Sequence, residues 1–168
     1  MDFTELIKDR YSVRQFKEDK VSEEQLKKLM EAARLAPTAK NAQDFFIYAL
    51  QSEEGLKIAN DCSPCIYGAP LTLVFCCDRD QGIEIPINKV DFPLTDAVIV
   101  MTHVMLAAAS MGLGSCWVGY FNEEKTRAAL NMPKNLQPVG FLPVGYPDMA
   151  PGPSHEASKD LSELYKVL

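Results

Sequence analysis

The sequence contains little of what a disulfide-stabilised, nucleic-acid-binding or membrane-surface protein requires. Its five cysteines are an odd number with uneven spacing, and Cys76, Cys77 and Cys116 lie in apolar runs, so a disulfide framework is not expected. The 17 Lys and Arg residues are outnumbered by 23 Asp and Glu residues, which gives a net charge of −6. Because nucleic acids and anionic membranes bind basic surfaces, we expect neither as a partner.

Several catalytic and targeting signatures are also missing. No G-x-S-x-G sequence occurs, so a nucleophile elbow is not indicated. Gly112-Leu113-Gly114 lacks a third glycine and follows a predicted helix, which excludes a dinucleotide-binding fingerprint. Cys62-Ser63-Pro64-Cys65 is a lone C-x-x-C with no second pair, so we assign no metal site, and a redox role for the pair stays open. The N-terminal residues do not resemble a signal segment, and we expect a cytoplasmic protein.

The apolar periodicity predicts a single domain, residues 1–168, that mixes helices with strands. Its length suffices to bury a substantial core, and no repeat or linker divides it. A stretch at 81–93 with two prolines is predicted to be irregular. Helices are predicted at 3–8, 23–35, 53–60, 94–111 and 123–130 and in the tail after Asp160, and strands at 45–50, 71–77, 115–121 and 137–146.

The helix predicted at 94–111 is apolar on all sides and must therefore be buried. A membrane span is the alternative, but the run barely reaches 20 residues and contains Asp96, Thr102 and His103. Asp96 and His103 are seven residues apart, so they fall on one helical face and could share a polar groove. A central helix of a globular core is the better interpretation.

The segment from Asp9 to Phe16 contains two arginines and two hydroxyl groups. Arg10 and Arg14 carry fixed charges whose geometry suits phosphate oxygens, and Tyr11 and Ser12 can add hydrogen bonds. A small molecule that bears a phosphate is the ligand this pattern predicts. The alternative is that the arginines form solvent-exposed ion pairs with Asp9 or Glu18.

Four segments carry a family resemblance when they are read in order. They are RYSVRQF at 10–16, EAARLAPTAKNAQ at 31–43, MGLGSCWVGYF at 111–121 and LPVGYP at 142–147. Together they resemble the nitroreductase family of flavin mononucleotide (FMN) enzymes, and the similarity runs nearly end to end. The resemblance implies an α+β fold, in which helices flank a mixed or antiparallel sheet, and an intertwined homodimer with FMN at the subunit interface.

The resemblance also implies positions for the cofactor contacts. The arginine motif would hold the phosphate, ribityl chain and pyrimidine edge, the loop from the other subunit would contact the ring, and the strand after Gly114 would direct backbone N–H groups toward flavin N5. Lys159 would complete the phosphate site. The implied FMN-binding residues are Arg10, Tyr11, Ser12, Arg14, Pro37, Thr38, Ala39, Asn41, Gln43, Val118, Gly119, Tyr120 and Lys159.

The implied activity is an oxidoreductase reaction in which NADH or NADPH reduces FMN and a nitroaromatic, quinone or similar acceptor oxidises it. No catalytic side chain is required. Two other readings stay open. The first is an electron-transfer flavoprotein linked to thiols through Cys62 and Cys65, and the second is a structural module without flavin.

The chain departs from the family pattern at two positions that bear on the site. Where the family loop usually continues Gln-Pro-Trp, this chain has Gln43-Asp44-Phe45. Where an arginine often precedes the C-terminal lysine, this chain has Ser158. The chain also lacks the inserted segments that cover the substrate in longer members.

Overall fold

A four-stranded antiparallel sheet in the order β1-β2-β4-β3 forms the centre of the fold. The computed structural model describes residues 2–83 and 89–168, so part of the predicted irregular stretch lies outside the described residues. The strands are β1 Phe45–Leu50, β2 Leu71–Asp78, β3 Gly114–Ser115 and β4 Leu136–Gly145. The predicted α+β class with helices flanking a sheet is confirmed.

Five α-helices surround the sheet, close to their predicted positions. They are α1 Phe3–Asp9, α2 Glu23–Arg34, α3 Glu53–Cys62, α4 Phe92–Ser110 and α5 Glu123–Ala129. All five begin at a side chain that accepts a backbone N–H: Asp2 and Ser22 form capping boxes, and Ser52, Asp91 and Asn122 cap α3, α4 and α5. These local signals explain why the helix starts could be read from the sequence.

Helices cover both faces of the sheet, and alternate residues of β2 serve the two layers. Leu73 and Phe75 pack with α2 and α4, whereas Val74 and Cys76 pack with α3 and the segment after β3. Every residue of β2 is therefore buried, which explains why its sequence is apolar without a break from Leu73 to Cys77. The layer formed by α2 and α4 holds the larger core cluster.

Helix α4 contributes Val100, Met101, Val104 and Ala108 to this core cluster. Among the described residues it is the one helix long and apolar enough to cross a membrane, a test that core helices also pass. Its packing against the sheet supports the core interpretation. The predicted polar groove does not form, because Asp96 is buried whereas His103 is exposed.

Two predicted elements differ in the structure. The strand predicted at 115–121 ends at Ser115, with one further bridge between Val118 and Phe141. Cys116 donates to the carbonyl of Pro143, and proline has no N–H to return the bond, so the ladder is interrupted there. The predicted tail helix is only a 3₁₀ turn, Leu161–Glu163. Its apolar side chains are exposed, so no packing stabilises a longer helix.

We expect Leu29→Ala to lower the free energy of unfolding by about 2–5 kcal/mol, since Leu29 is fully buried between α2 and the sheet. Lys27→Ala on the exposed side of the same helix is the matched control and should change it by less than about 0.5 kcal/mol. Urea denaturation measures both. Equal losses in the two variants would contradict the core assignment.

Candidate functional site

The arginine segment lies along the edge of the sheet beside β3. Val13 donates its N–H to the Ser115 carbonyl at 3.0 Å, and Ser12 forms a parallel bridge with Ser115. Farther along, Lys17 donates to the Tyr146 carbonyl at 2.9 Å. These backbone bonds fix the segment that carries both arginines.

Gly114 allows this close approach. A Cβ atom at this position would lie 2.5 Å from Val13 Cγ2 and 2.9 Å from Pro147 Cγ. Real Cβ atoms do not tolerate such distances, so any side chain here would displace the segment or the turn at Pro147. Gly112 has a different role, because its φ of +73° ends α4 in the left-handed turn that the sequence predicted.

Arg10 and Arg14 both lie near Cys116, the first residue after β3. Burial raises the pKa of the Cys116 thiol, and Arg14, Ser12 and Arg10 oppose that rise. Tyr67 is a second neighbour, whose pKa is raised mainly by a hydrogen bond with the Cys65 thiol while Arg14 lowers it. Neither arginine forms an ion pair within residues 2–83 and 89–168, so the alternative of pairing with Asp9 or Glu18 is not supported.

Residues 117–120 form a ledge next to the arginine segment, in which Trp117, Gly119 and Tyr120 are exposed and Val118 is buried. The N–H of Val118 donates to the Phe141 carbonyl at 2.9 Å, so it is not free for a ligand. No hydrogen bond within the described residues uses the N–H of Gly119 or Tyr120, and both residues are exposed. The indole of Trp117 covers Gly119, where a Cβ would lie 2.8 Å from the ring.

The buried residue Ser63 is hydrogen-bonded to this ledge. Its hydroxyl donates to the Tyr120 carbonyl at 2.7 Å and accepts the Cys65 N–H at 3.1 Å. The carbonyl of Cys62 accepts the Asn122 N–H at 2.9 Å. The C-x-x-C turn therefore holds the ledge in place, and both of its cysteines are free thiols, Cys62 buried and Cys65 half-buried.

The loop between α2 and β1 has an unusual backbone. Lys40, Asn41 and Gln43 have φ angles of 50°, 56° and 51°, although none is glycine. A left-handed conformation costs such residues about 1–2 kcal/mol each. Strain of this kind is found most often at functional sites.

Hydrogen bonds hold the strained loop at several points. At its start, Ala39 donates its N–H to Asp96 Oδ2 at 2.7 Å. Within it, Gln43 donates its N–H to Thr38 Oγ1 at 3.0 Å. At its end, the Asp44 carbonyl accepts the Asp78 N–H at 2.8 Å. The side chains of Asn41 and Gln43 are exposed, as is Pro37.

Within one chain this loop is far from the arginines. Asp96, near the start of α4, contacts the loop, whereas Ala109, near the end, lines a cavity of about 140 Å³ together with Arg10 and Ser115. Thirteen residues of helix separate those two positions, which corresponds to about 20 Å. The structure therefore joins the arginine segment to the ledge in one place and leaves the loop at the other end of α4.

Two other predicted residues are placed as follows. Tyr11 donates its hydroxyl to the Met149 carbonyl at 2.6 Å and packs its ring against His155, so that hydroxyl is already engaged. Lys159 lies in the exposed tail four residues after His155 and forms no hydrogen bond or ion pair in the part of the chain that is described. Its predicted role remains a prediction.

Sequence reasoning missed Ser63 and Tyr67 and the link from Asp96 to the loop. Ser63 was visible only as a spacer in the C-x-x-C, and Asp96 as a polar residue in an apolar helix. No group of three or more Cys, His, Asp or Glu side chains suited to a metal ion is present among the described residues.

We expect Gly114→Ala to destabilise the protein by about 1–3 kcal/mol through overpacking against Val13 and Pro147. Gly152→Ala is the control, because a Cβ there meets no atom within 4 Å and φ is already negative. Thermal unfolding should show a melting temperature several degrees lower for Gly114→Ala alone. Indistinguishable melting curves would show that the approach is not as tight as described.

The chain matches the model of the nitroreductase family over residues 7–67 and 60–146. A Methanothermobacter thermautotrophicus protein, whose name pairs NADH dehydrogenase with NAD(P)H nitroreductase, is 31% identical over 161 residues that cover 90% of this chain and 81% of that protein. An FMN reductase [NAD(P)H] of Bacillus subtilis is 30% identical over 159 residues, which cover 84% of this chain and 64% of the reductase.

A solved structure shows the same similarity in three dimensions. The crystal structure of a nitroreductase family protein from Clostridium difficile 630 superposes with a TM-score of 0.93 at 37% identity, covering 99% of this chain and 98% of that one. The family match extends over most of the chain and includes the arginine segment, the strained loop and the ledge. The chain therefore belongs to the nitroreductase family.

Proposed function

We propose that the protein is an FMN-dependent oxidoreductase that takes electrons from NADH or NADPH and delivers them to a nitroaromatic, quinone or similar acceptor. The observation that carries the proposal is that Arg10 and Arg14, which form no ion pair among the described residues of this acidic chain, lie near Cys116. Cys116 leads into the ledge, where no hydrogen bond of the described residues uses the N–H of Gly119 or Tyr120. The names of the relatives, a nitroreductase and an FMN reductase, support the same cofactor and electron donors.

The residues present fit the chemistry of FMN. Arg10, Ser12 and Arg14 supply charged and neutral donors suited to a phosphate, a ribityl chain and a pyrimidine edge, and Lys159 supplies a further cation in the tail. Gly119 and Tyr120 offer the free N–H groups for flavin N5. Bound FMN would accept and release the electrons.

Among the predicted contacts, Tyr11 and Val118 act indirectly in this proposal. The Tyr11 hydroxyl is bonded to Met149 and the Val118 N–H to Phe141. Both therefore position the segment and the ledge that carry the donors. Ala39 has a comparable role, since its N–H is bonded to Asp96.

We propose further that a homodimer completes the site. The loop contacts, Pro37, Thr38, Asn41 and Gln43, lie at the opposite end of α4 from the arginines of the same chain, so a second copy must bring them to the flavin. The exposed apolar side chains of the tail, Leu161, Leu164, Tyr165, Val167 and Leu168, support a large contact with another chain. We propose a cytoplasmic location as well, which the free state of all five cysteines supports.

The exposed aromatic side chains of the ledge support the proposed class of acceptor. Trp117 and Tyr120 are exposed aromatic side chains beside the proposed N5 donors, and they suit planar aromatic acceptors. Planar nitroaromatics and quinones are therefore the acceptors to test first.

We expect Arg14→Ala to weaken FMN binding about 10- to 150-fold, because a hydrogen bond to a charged group contributes about 1.5–3 kcal/mol. Arg79→Ala is the matched control, since Arg79 is engaged with Asp91 and Gln137 away from the ledge. Flavin fluorescence titration gives both dissociation constants. An unchanged affinity in Arg14→Ala would remove Arg14 from the site.

Anaerobic reduction of the bound flavin, followed by a panel of acceptors, distinguishes the proposed oxidoreductase from the thiol-linked electron-transfer protein. We expect NADH or NADPH to bleach the flavin absorbance, nitro or quinone acceptors to restore it, and Cys65→Ser to leave both rates within about twofold. Loss of flavin reduction in Cys65→Ser, with slow NAD(P)H oxidation whatever the acceptor, would favour electron transfer through the cysteines. A chain that retains no FMN would contradict the proposed function altogether.

A further inference from the structure

The strained loop ends at a carboxyl group in an unusual environment. Asp44 is 1% exposed, and neither of its carboxyl oxygens has an N–H or O–H donor of another residue in hydrogen-bond geometry within the described part of the chain. An ionised carboxylate without donors is costly to bury, and such a group normally holds a proton instead. The Asp44 side chain therefore points into the protein, away from the exposed face of the loop.

The groups around Asp44 are acidic. Asp96 on α4 and Asp78 at the end of β2 are its carboxyl neighbours, and the Cys77 thiol of β2 is the third titratable group that faces it. Burial is the main cause that raises the pKa of Asp44, while its own backbone N–H lowers it and Asp96 and Asp78 raise it further. The Asp96 carboxyl group lies close enough to act as a hydrogen-bond partner that raises the pKa of Asp44, and two carboxyl groups can share such a bond only if one of them is protonated.

Asp96 is equally buried, with 3% exposure, and its Oδ2 already accepts the N–H of Ala39 at 2.7 Å. Asp96 therefore holds Ala39, which directly precedes the left-handed residues, and Asp44 directly follows them. The three left-handed residues, Lys40, Asn41 and Gln43, lie between these two points. A bond between the two carboxyl groups would tie the ends of the loop together.

We infer that Asp44 is a positioning residue that carries a proton, donates it in a hydrogen bond to the Asp96 carboxylate and thereby clamps the left-handed loop in its binding conformation. The inference rests on the proposed function insofar as this loop contacts FMN. The proton stays on Asp44 and no bond to it is broken. Its loss to solvent at high pH places two carboxylates side by side in a buried site and opens the clamp.

The pH dependence of stability follows from the sign of the shift. The folded state holds the Asp44 proton more tightly than the unfolded chain, so the contribution of this proton to stability is greatest at low pH and is lost as pH rises above the ordinary carboxyl range. The loss continues until the pH passes the raised pKa of folded Asp44. For a single proton the slope cannot exceed a factor of ten in the unfolding constant per pH unit.

Asp44→Asn tests the inference because asparagine resembles the protonated acid and can still donate to Asp96. The free energy of unfolding of the full chain is measured by urea denaturation from pH 5 to pH 8.5, with and without saturating FMN. In Asp44→Asn it should lose the part of its pH dependence that is due to this proton. At high pH, Asp44→Asn should be more stable than the wild type. Asp19→Asn, at an exposed position, is the charge-matched control and should keep the wild-type slope.

Two further measurements keep the test decisive. The FMN dissociation constant should rise with pH by up to about tenfold per unit in the wild type and stay flat in Asp44→Asn. Infrared spectroscopy of the folded wild type at neutral pH should show the carbonyl band of a protonated carboxylic acid that Asp44→Asn lacks, a signature that a purely structural role would not produce.

The inference is overturned if Asp44→Asn keeps the wild-type pH slope, or if the protonated-acid band is missing from the wild type or persists in the variant. It is also overturned if both proteins bind FMN with the same pH dependence. If no variant binds FMN, the proposed function fails, and the denaturation and infrared results still decide whether Asp44 and Asp96 share the proton.

Discussion

The contact between the arginine segment and the edge of the sheet is the constraint on which the site depends. Gly114 lets the backbone at Val13 lie against β3, and the hydrogen bond from Val13 to Ser115 fixes the register. This register brings Arg10 and Arg14 beside the ledge at 117–120. In an acidic chain, two cations held in this way, with no carboxylate partner among residues 2–83 and 89–168, support the proposed binding of an anionic ligand.

The second constraint is the length of α4. Because the helix is rigid, the arginine segment at one end and the strained loop at the other stay about 20 Å apart in any single chain. Hydrogen bonds stabilise the structure at each end of the helix. At one end they join the loop to Asp96 and Asp78, and at the other Ser63 of the C-x-x-C turn bonds to the ledge. In the proposed dimer, each chain would thus contribute halves of two different sites, and two-fold symmetry would complete both.

Local signals allowed most of the fold to be predicted from the sequence. The caps at Ser22 and Asn122 and the glycine stop after α4 are encoded by adjacent residues, so the helix bounds were nearly right. The strand at 115–121 was wrong because its partner supplies Pro143 where a donor was needed, which is a pairing that no local pattern reveals. The tail helix was wrong because its apolar face has nothing to pack on within one chain.

The arginine segment could be singled out from the sequence because its side-chain chemistry is explicit, and its binding role stays a prediction. The parts of the candidate site that depend on backbone hydrogen bonds and backbone conformation could not be predicted from the sequence. The N–H of Val118 donates to the Phe141 carbonyl and is not available to a ligand. Lys40 and Gln43 adopt a left-handed conformation that their residue types do not favour. The inward position of Asp44 likewise depends on the packing of α4 against β1 and β2.

Mixing two defective variants tests the central claim, that one flavin site is built from two chains. Arg14→Ala damages the segment, and Asn41→Ala damages the loop. If the site is shared, a refolded equimolar mixture contains mixed dimers in which one of the two sites is intact, so about a quarter of all sites should recover wild-type FMN affinity and activity. A mixture that binds no better than the average of the two separate variants would show that each chain builds its own site.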